Sequence, residues 1–426
     1  MLLLLSAVVY MWAASQTVIP FLDHHGFHYV FYAMVWLDQW KLFHSIWSAA
    51  VFTILTIQMT GMTITIFLHR AGAHKALKLL HPGLKHVFRF WVWFATGMIP
   101  REWIAVHRWH HANCEKKEDP HSPQTTSIWY ILFNGVDAYR KGIAKKEIYE
   151  KVPDILIDWL DKKVYCRKNT GISALLALDL ILFGFLGIVV WAIQMLWTPF
   201  FAAGVINGVG HYFGYRNFNT NDESRNIVHL GIIISGEELH NNHHAFPTSA
   251  CFSLGKGEFD QGWQWIRLFA WCGLIEVKHV APTMPTSDIA TKPGYDFLGF
   301  CRYQQWFVAY FENQVWRSVF KKTLKDRAIA RPVRKKVKQL LKRLPHREEE
   351  RKVLQQRLPD IPNLQKVYNF WLEFMTFLEK RGGVEKDSAG WKILRDLCKT
   401  AKESGITELQ RFGKWMDGFN PEPQPD

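Results

Sequence analysis

Clustered histidines are the feature that most constrains this chain. Eight of its 19 histidines form three short boxes, and a ninth, His211, ends the stretch Asn207-Gly-Val-Gly-His211. The boxes are His69-Arg-Ala-Gly-Ala-His74, His107-Arg-Trp-His110-His111 and His240-Asn-Asn-His243-His244. Side chains at i, i+3 and i+4 share one helix face. Each HxxHH box can therefore direct three ring nitrogens to one place, which predicts a metal site.

Spacing separates the first box and the ninth histidine from the other two boxes. His69 and His74 are five positions apart, which rotates them well apart on a regular helix. They are predicted to serve different metals, unless the helix ends between them near Gly72. His211 lies in an apolar segment, where an ionisable group is costly and usually functional. Asn207, one turn earlier, can join the site directly or through water. The structural alternative for His211 is a hydrogen-bonded core histidine, and that for Asn207 is a polar contact between helices.

The ligand type indicates the metal and its number. Imidazole suits Fe, Cu, Ni and Zn, but zinc has no redox chemistry. Nine neutral imidazoles exceed what one ion coordinates, so two metals are implied. Soluble di-iron proteins use Glu and Glu-x-x-His motifs. Replacement of the carboxylates by histidine predicts a di-iron centre of the membrane-bound, oxygen-activating class.

Long apolar runs predict an all-α integral membrane protein with about four transmembrane helices and a cytosolic helical cap that carries the His-rich di-iron site. A hydrocarbon core needs roughly 20 apolar residues. Four segments qualify, from about Leu2 to Ile19, Ser45 to Leu68, Ile172 to Trp197 and Pro199 to about Tyr215. The Trp197-Thr198-Pro199 junction is predicted to break the last two into a helical hairpin.

Topology places the three boxes on one face. The apolar stretch Val87–Ile99 is short and carries Arg89, so it is predicted to be re-entrant or interfacial. Basic residues from Arg70 to Lys168 and beyond Arg302 put the shared face, and both termini, in the cytoplasm. Residues 1–302 are thus predicted to form the membrane domain, and 303–426 a basic cytosolic helical extension. The net charge of +14 fits an anionic leaflet or an acidic electron carrier, and no motif for nucleic acid accompanies it.

These motifs resemble the membrane fatty acid desaturase family, specifically its stearoyl-CoA (Δ9) desaturase-like branch. His69–His74 is similar to the family's HRxxxH and His107–His111 to its HRxHH, and Glu237–His244 matches its third box. Asn207–His211, followed by Gly214-Tyr215-Arg216, resembles NxxxHxxGxR. The likeness covers roughly residues 65–278. It implies that the nine histidines ligate two irons, with Asn207 reaching one through water. It also implies that O2 and two electrons convert a saturated acyl chain, in a bent apolar tunnel, into a cis-unsaturated one.

Two departures leave the acyl carrier open between CoA and phospholipid. Ala105-Val106 stands where animal acyl-CoA enzymes of the branch carry Arg-Asp, and Asn217-Phe218 replaces Pro-Tyr. The pattern indicates a bacterial enzyme of the inner membrane. The candidate substrate-binding residues are Arg101, Trp103 and Arg216.

Electrons must come from outside this chain. It has no b5-like domain or flavin fingerprint, and its six cysteines include no CxxC pair, which argues against a structural zinc or a cysteine-ligated iron–sulfur cluster. A ferredoxin- or cytochrome b5-like donor with its reductase is expected. Two other functions stay open: a di-iron membrane hydroxylase acting on a lipid or alkane, and a non-enzymatic metal-binding membrane protein.

Overall fold

The computed structural model describes residues 36, 38–285, 297–326, 329–340, 344, 348–357, 361–380 and 387–419. Within them the chain is mostly helical and forms two compact units. The first comprises residues up to 216 together with 222–281, and the second comprises 217–221 together with 282 onward. The second unit thus begins before the limit at residue 302 that the sequence predicts. The predicted span from Leu2 to Ile19 lies outside the described residues.

The first unit contains nine α-helices, one of them only three residues long, and four short strands among its described residues. The longer helices are α1 (Ile46–Thr63), α2 (Pro82–Thr96), α3 (Pro100–Asn113), α4 (Ile128–Ile143), α5 (Lys168–Phe183), α6 (Leu186–Trp197), α7 (His240–Ala245) and α8 (Gln261–Trp271). The strands are β1 (Leu77–Leu79), β2 (Leu230–Gly231), β3 (Phe259–Asp260) and β4 (Ile275–Val277). A short helix of three residues, Ile206–Gly208, lies within the extension of α6.

Two continuous helices are long and apolar enough to cross a membrane within the described part of the chain. The first is α1 with its π-helical extension, Ile46–Ala73, and the second is α6 with its extensions, Leu186–His211. Ser45 begins α1 by accepting a hydrogen bond from the amide of Trp47 at 3.2 Å, as N-cap serines do. The first helix ends within the first histidine box, and the second ends at His211. Each therefore carries candidate ligands at the end of its apolar segment.

The hairpin prediction at Trp197-Thr198-Pro199 is wrong. The helix passes through Pro199 as a π-helical segment, Thr198–Val205, because the extra residue of a π-turn accommodates the missing proline N–H. The chain instead reverses at Gly184, between α5 and α6. Gly184 has φ +60°, a left-handed conformation that glycine adopts at little cost. The predicted single span Ile172–Trp197 is therefore two helices.

Most of the stretch Val87–Ile99 lies on helix α2, and its re-entrant or interfacial placement stays a prediction. Helix α2 has 15 residues and ends at Gly97, which has φ +63°. The Arg89 side chain is buried, and its guanidinium binds Asp158 at 2.7 Å and Asp161 at 2.8 Å. Burial of an arginine requires such paired charges, so α2 is tied to the loop that precedes α5.

Two strand pairs fix the segments on either side of the boxes. Strand β1 pairs antiparallel with β4, in the register Leu77↔Val277, and β2 pairs parallel with β3. Asp260, at the end of β3, caps α8 by accepting from the Trp263 amide at 2.9 Å. It also binds the buried guanidinium of Arg70 at 2.8 Å. The beginning of the first box is thereby fixed to the segment after the third.

The second unit is a helical assembly around an aromatic core. Its described helices are α9 (Phe297–Cys301), α10 (Gln304–Tyr310), α11 (Arg317–Lys325), α12 (Arg331–Leu340), α13 (Glu348–Arg357), α14 (Pro362–Lys380), α15 (Asp387–Lys402) and α16 (Thr407–Asp417). Phe311 stacks on Trp371 with ring centroids 5.1 Å apart. Both side chains are fully buried, which is the burial that holds a small helical unit together.

Candidate metal centre

A π-helix brings the two histidines of the first box together. The segment Ile64–Ala73 continues α1 with π-helical turns, and the amide of His74 donates to the carbonyl of His69 at 3.1 Å. This i→i+5 bond places residues five apart on nearly the same face, whereas five α-helical steps would rotate them by about 140°. The sequence predicts that His69 and His74 serve different metals unless the helix ends between them near Gly72. The π-helical segment does end between them, at Ala73, and both side chains lie in one cluster of candidate ligands.

Arg108, inside the second box, fixes α3 against the end of the first box. Its Nε donates to the carbonyl of Ala73 at 2.9 Å, and its Nη2 donates to that of Gly72 at 2.7 Å. These carbonyls close a helix and lack partners within it. The same guanidinium binds the Asp154 carboxylate. The two boxes are thus held in register by one side chain.

The third box lies on the short helix α7, and a polar turn sets its position. The buried Glu238 carboxylate accepts from the amides of Ile234 at 2.8 Å and Gly236 at 3.1 Å. Ser235, between them, has φ +55°, a conformation that costs a non-glycine residue free energy and persists only where the surroundings enforce it. The three histidines that follow are almost fully buried.

Five histidines drawn from all three boxes form the first cluster. One ring nitrogen of each lies within 4.8 Å of those of the others in the set His69, His74, His107, His111 and His243. Nε2 of His243 is 3.1 Å from Nε2 of His69 and 2.9 Å from that of His111. The Nε2 atoms of His74 and His107 are 2.8 Å apart.

The second cluster contains three histidines and one residue that the sequence analysis did not propose. His110, His211, His244 and Cys114 have ligand atoms within 4.8 Å of one another. His240 adjoins them, with its Nε2 3.0 Å from Nε2 of His211. The structure therefore brings eight of the nine predicted histidines into two clusters and places His240 beside the second. Asn207 lies on the helix that leads to His211, and its amide donates to the carbonyl of Ala203 at 3.1 Å.

Four carboxylates behind the histidines were missed by sequence reasoning. Nδ1 of His69 is 2.8 Å from Glu237, Nδ1 of His110 is 3.0 Å from Asp119, and Nδ1 of His244 is 2.9 Å from Asp222. Glu115 lies farther away, at 3.6 Å from Nδ1 of His211. Metal-binding histidines commonly donate their second N–H to such a group. Only Glu237 could have been found from the sequence, because it lies close to the third box. The other three carboxylates lie on loops.

The electrostatics of the clusters favour neutral imidazole. Burial, followed by the neighbouring imidazoles, holds the pKa of His107, His111 and His243 well below the ordinary value. Burial also lowers the pKa of His244 to about 4, although Asp222 opposes the shift. Burial would lower the pKa of His110, but the carboxylates of Asp119, Asp222 and Glu115 together outweigh it and the pKa is raised. Neutral imidazole is the form that binds metal ions.

The donor set fits metal ions. Two nitrogens at about 2.1 Å from one ion and at right angles to each other lie about 3.0 Å apart, which matches the Nε2 separations of 2.8–3.1 Å in the clusters. Where Nδ1 donates to a carboxylate, as in His69, Nε2 must present its lone pair. In His244, Nε2 is buried and has no hydrogen-bond partner among the described residues. A cation would satisfy these nitrogens.

A cavity of about 320 Å³ begins at the clusters. Four of the nine histidines reach its wall, as does Asn207, and apolar side chains of α2, α4, α5, α6 and the extensions of α1 and α6 line much of the rest. The histidines in the wall are His69, His107, His110 and His240. Trp103 also lines the cavity and stacks on the His107 ring, with centroids 4.9 Å apart.

The two other candidate substrate residues lie away from this wall. Arg101 and Arg216 are not among the described residues that line the cavity. The Arg101 guanidinium lies over the Tyr149 ring, and Arg216 donates to the carbonyl of Asp222 at 2.7 Å. Arg216 thus supports the segment that holds His244.

Comparison with known proteins agrees with this geometry. The fatty acid desaturase family model matches residues 45–257, which include every candidate ligand. The chain belongs to the fatty acid desaturase family. The Delta-9 acyl-lipid desaturase 2 of Arabidopsis thaliana is 31% identical over 237 residues, covering 54% of this chain and 75% of the relative.

Further relatives extend the same match. The Delta-9 acyl-lipid desaturase 1 and the Delta-9 desaturase-like 4 protein of Arabidopsis thaliana are each 29% identical, over 235 and 234 residues, covering 54% of this chain and 75% of each relative. The family match ends at residue 257, before the longer segment of the second compact unit, which begins at residue 282. Family membership makes this chain a fatty acyl desaturase, an oxidoreductase of lipid metabolism.

Proposed function

We propose that the protein is an O2-dependent Δ9 desaturase that introduces a cis double bond into a saturated acyl chain carried on a phospholipid. The observation that carries this proposal is the cavity, because it begins at the imidazoles of both clusters and continues between apolar helices. An acyl chain in it would present one methylene pair to the clusters.

The nine histidines would hold two iron ions, with Asn207 reaching one of them through water. The bound irons would supply the activation of O2. In the balanced reaction one O2, two electrons and two protons remove two hydrogens from adjacent methylenes, and two waters form. The protein's own contribution is position: Trp103 and the cavity wall hold the chain beside the imidazoles and exclude water.

Polar groups in the cavity wall bear on the acyl carrier. They include the Glu102–Lys168 ion pair at 2.8 Å, Arg140, and the buried Tyr139 hydroxyl, which has no hydrogen-bond partner among the described residues. Such groups suit the ester and phosphate of a glycerolipid. Ala105 is fully buried, so the position of the family's Arg-Asp pair offers no grip on CoA. The names of the plant relatives also favour the acyl-lipid form.

We further propose an integral membrane enzyme with about four transmembrane helices, whose clusters and termini face the cytoplasm. Assignment to the stearoyl-CoA-like branch and to a bacterial inner membrane stays a prediction. The basic extension from residue 303 onward is proposed to be cytosolic.

An acidic ferredoxin- or cytochrome b5-like protein, with its reductase, would deliver the electrons, and turnover should then weaken as salt is added.

Expression in a host that lacks the relevant unsaturated fatty acid tests the reaction. We expect a new cis double bond at carbon 9, located by derivatisation and mass spectrometry, and none with the His243→Ala variant. An alcohol product would favour the hydroxylase alternative. No product of either kind, from protein that holds two irons and receives electrons, would contradict the enzymatic proposal.

The carrier needs a separate experiment. Labelled stearoyl-CoA and labelled phosphatidyl-stearate are offered side by side to purified enzyme with its electron donor. Desaturation of the phospholipid is expected, and Tyr139→Phe should raise KM for it more than it lowers kcat. Conversion of the CoA ester alone would overturn the acyl-lipid assignment.

A further inference from the structure

A five-residue segment is held by the second unit although the residues on both sides of it belong to the first. Residues 217–221 pack with the second unit, whereas Arg216 before them and Asp222 after them are part of the first. Phe218 is almost fully buried, and its ring meets the Trp306 ring edge to face, with centroids 4.8 Å apart. The family match ends at residue 257, so Trp306 lies outside it.

Asn219 adds polar contacts to the same attachment. Its side chain is buried, and its amide donates to the Glu312 carboxylate and, at 3.3 Å, to the carbonyl of Leu344. A hydrogen bond to an ionised acceptor is stronger than one between neutral groups, and the loss of one partner leaves a buried polar group unsatisfied. An aromatic contact and a charge-assisted hydrogen bond therefore bind the segment to the second unit.

The residues that directly follow the segment support two rings of the second cluster. The Asp222 carboxylate binds Nδ1 of His244 at 2.9 Å. The amide of Glu223 donates to the carboxylate of Glu115, which lies 3.6 Å from Nδ1 of His211. Asp222 follows the attached side chains within four residues, so at most about 14 Å of backbone lies between the attachment and this carboxylate.

We propose that the second unit positions the carboxylates of the second cluster through this segment, so that tight binding of the second metal depends on residues beyond the family match. The inference rests on the proposed metal centre and assigns a role to the extension. A carboxylate behind a ligand histidine fixes the ring and makes its other nitrogen a better donor, so displacement of Asp222 weakens that ion. Glu237, which supports the first cluster, lies beside the third box, and the first metal should therefore be retained.

An interchange of the two groups in the Asn219–Glu312 pair tests the attachment without measuring activity. Asn219→Asp places two carboxylates against each other, and Glu312→Gln in the same chain restores one amide and one carboxylate with their positions interchanged. Each full-length variant is loaded with two irons and titrated with a chelator. Hydrogen–deuterium exchange of the peptide 217–226 is followed in the metal-free protein. Asn369→Asp, the same change at an exposed position of α14, is the matched control.

We expect Asn219→Asp to weaken the binding of one ion by about 10-fold or more, which is the range for a ligand ring that loses its support. Binding of the other ion should not change. The weakened ion should be the one that Asp222→Asn also releases, and the peptide should exchange faster. The double variant should recover most of both properties, and Asn369→Asp should resemble the wild type.

Each other outcome overturns a defined statement. Equal losses of both ions in Asn219→Asp, or a double variant as weak as the single one, would reject the positioning role, because general destabilisation would explain them. Faster exchange with unchanged affinity for both ions would show that the segment is attached without positioning the cluster, and the proposed function would stand. Unchanged exchange would reject the attachment itself. A wild-type protein that binds neither ion would remove the metal centre, and this inference with it.

Discussion

The two clusters are built in different ways. The first consists of five imidazoles that come from helical segments of all three boxes, and one carboxylate, Glu237, lies within hydrogen-bond distance of its ring nitrogens. The second has fewer histidines, but acidic groups surround it: Asp119 and Asp222 bind ring nitrogens at 3.0 and 2.9 Å, and Glu115 lies at 3.6 Å from another. Helical segments thus position the rings of the first cluster, whereas carboxylates on loops orient the rings of the second.

The residues around the two clusters therefore support the imidazole rings in different ways. Carboxylates fix the orientation of a ring and make its other nitrogen a better donor. In the second cluster each of the three imidazole rings has its own nearby carboxylate. In the part of the first cluster that the structure describes, only His69 has such a carboxylate. The positions of the other rings depend on the π-helix and on the contacts of Arg108. Variants should therefore affect the two metals unequally.

His243→Ala should have the largest effect. His243 lies between His69 and His111, with Nε2 separations of 3.1 and 2.9 Å, so its loss opens the first cluster at the centre. We expect the iron content to fall from two to one or none per chain and turnover to fall to background, with membrane insertion unchanged. Metal analysis of anaerobically purified protein is the measurement. His86→Ala, a change at an exposed histidine on α2, should leave both values unchanged.

Asp119→Asn should selectively weaken the second metal. The Asp119 carboxylate lies 3.0 Å from Nδ1 of His110 and accepts from the amides of Glu115 and His121 at 3.0 Å. Loss of such a supporting group lowers metal affinity by about 10–100-fold. Chelator competition should show this loss for one of the two ions. Glu237→Gln is the matched change in the first cluster, and a smaller decrease is expected there because four further imidazoles hold the ion. Equal losses in both variants would contradict the comparison.

Much of the first cluster could be predicted from the sequence, because box spacing and box order determine which side chains converge. The joint placement of His69 and His74 could not be predicted, since an α-helix with 3.6 residues per turn separates them and nothing in the box signals a π-helix. The reversal at Gly184 was missed for a similar reason. Proline is a stronger helix breaker than glycine, so the sequence predicts a reversal at Pro199. A π-turn accommodates Pro199 within a continuous helix instead.

The second cluster was only half predictable. Its histidines belong to recognisable boxes, but Asp119 and Asp222 approach them through loops whose path depends on the whole fold. Cys114 was overlooked because the cysteines were judged by CxxC spacing, whereas its relevant spacing is to His110 along one helix. Long-range approach of loop residues is a property of tertiary structure that local patterns do not contain.

Asp154→Asn should have the smallest effect, and it tests how firmly Arg108 joins the first two boxes. The Arg108 guanidinium lies 2.5 Å from Asp154, which also pairs with Lys75 at 3.1 Å. We expect the free energy of unfolding, measured in detergent at neutral pH, to fall by about 1 kcal/mol, since the pair is partly exposed. The hydrogen bonds from Arg108 lower the pKa of Asp154 below its ordinary value. A lowered carboxyl pKa stabilises the fold above the unfolded-state value of about 3.9. The variant and the wild type should therefore converge as the pH falls below about 4. Asp137→Asn, which breaks the exposed pair with Lys141, should leave the unfolding curve unchanged at every pH; a loss as large as that of Asp154→Asn would show that the contact with Arg108 has no special role.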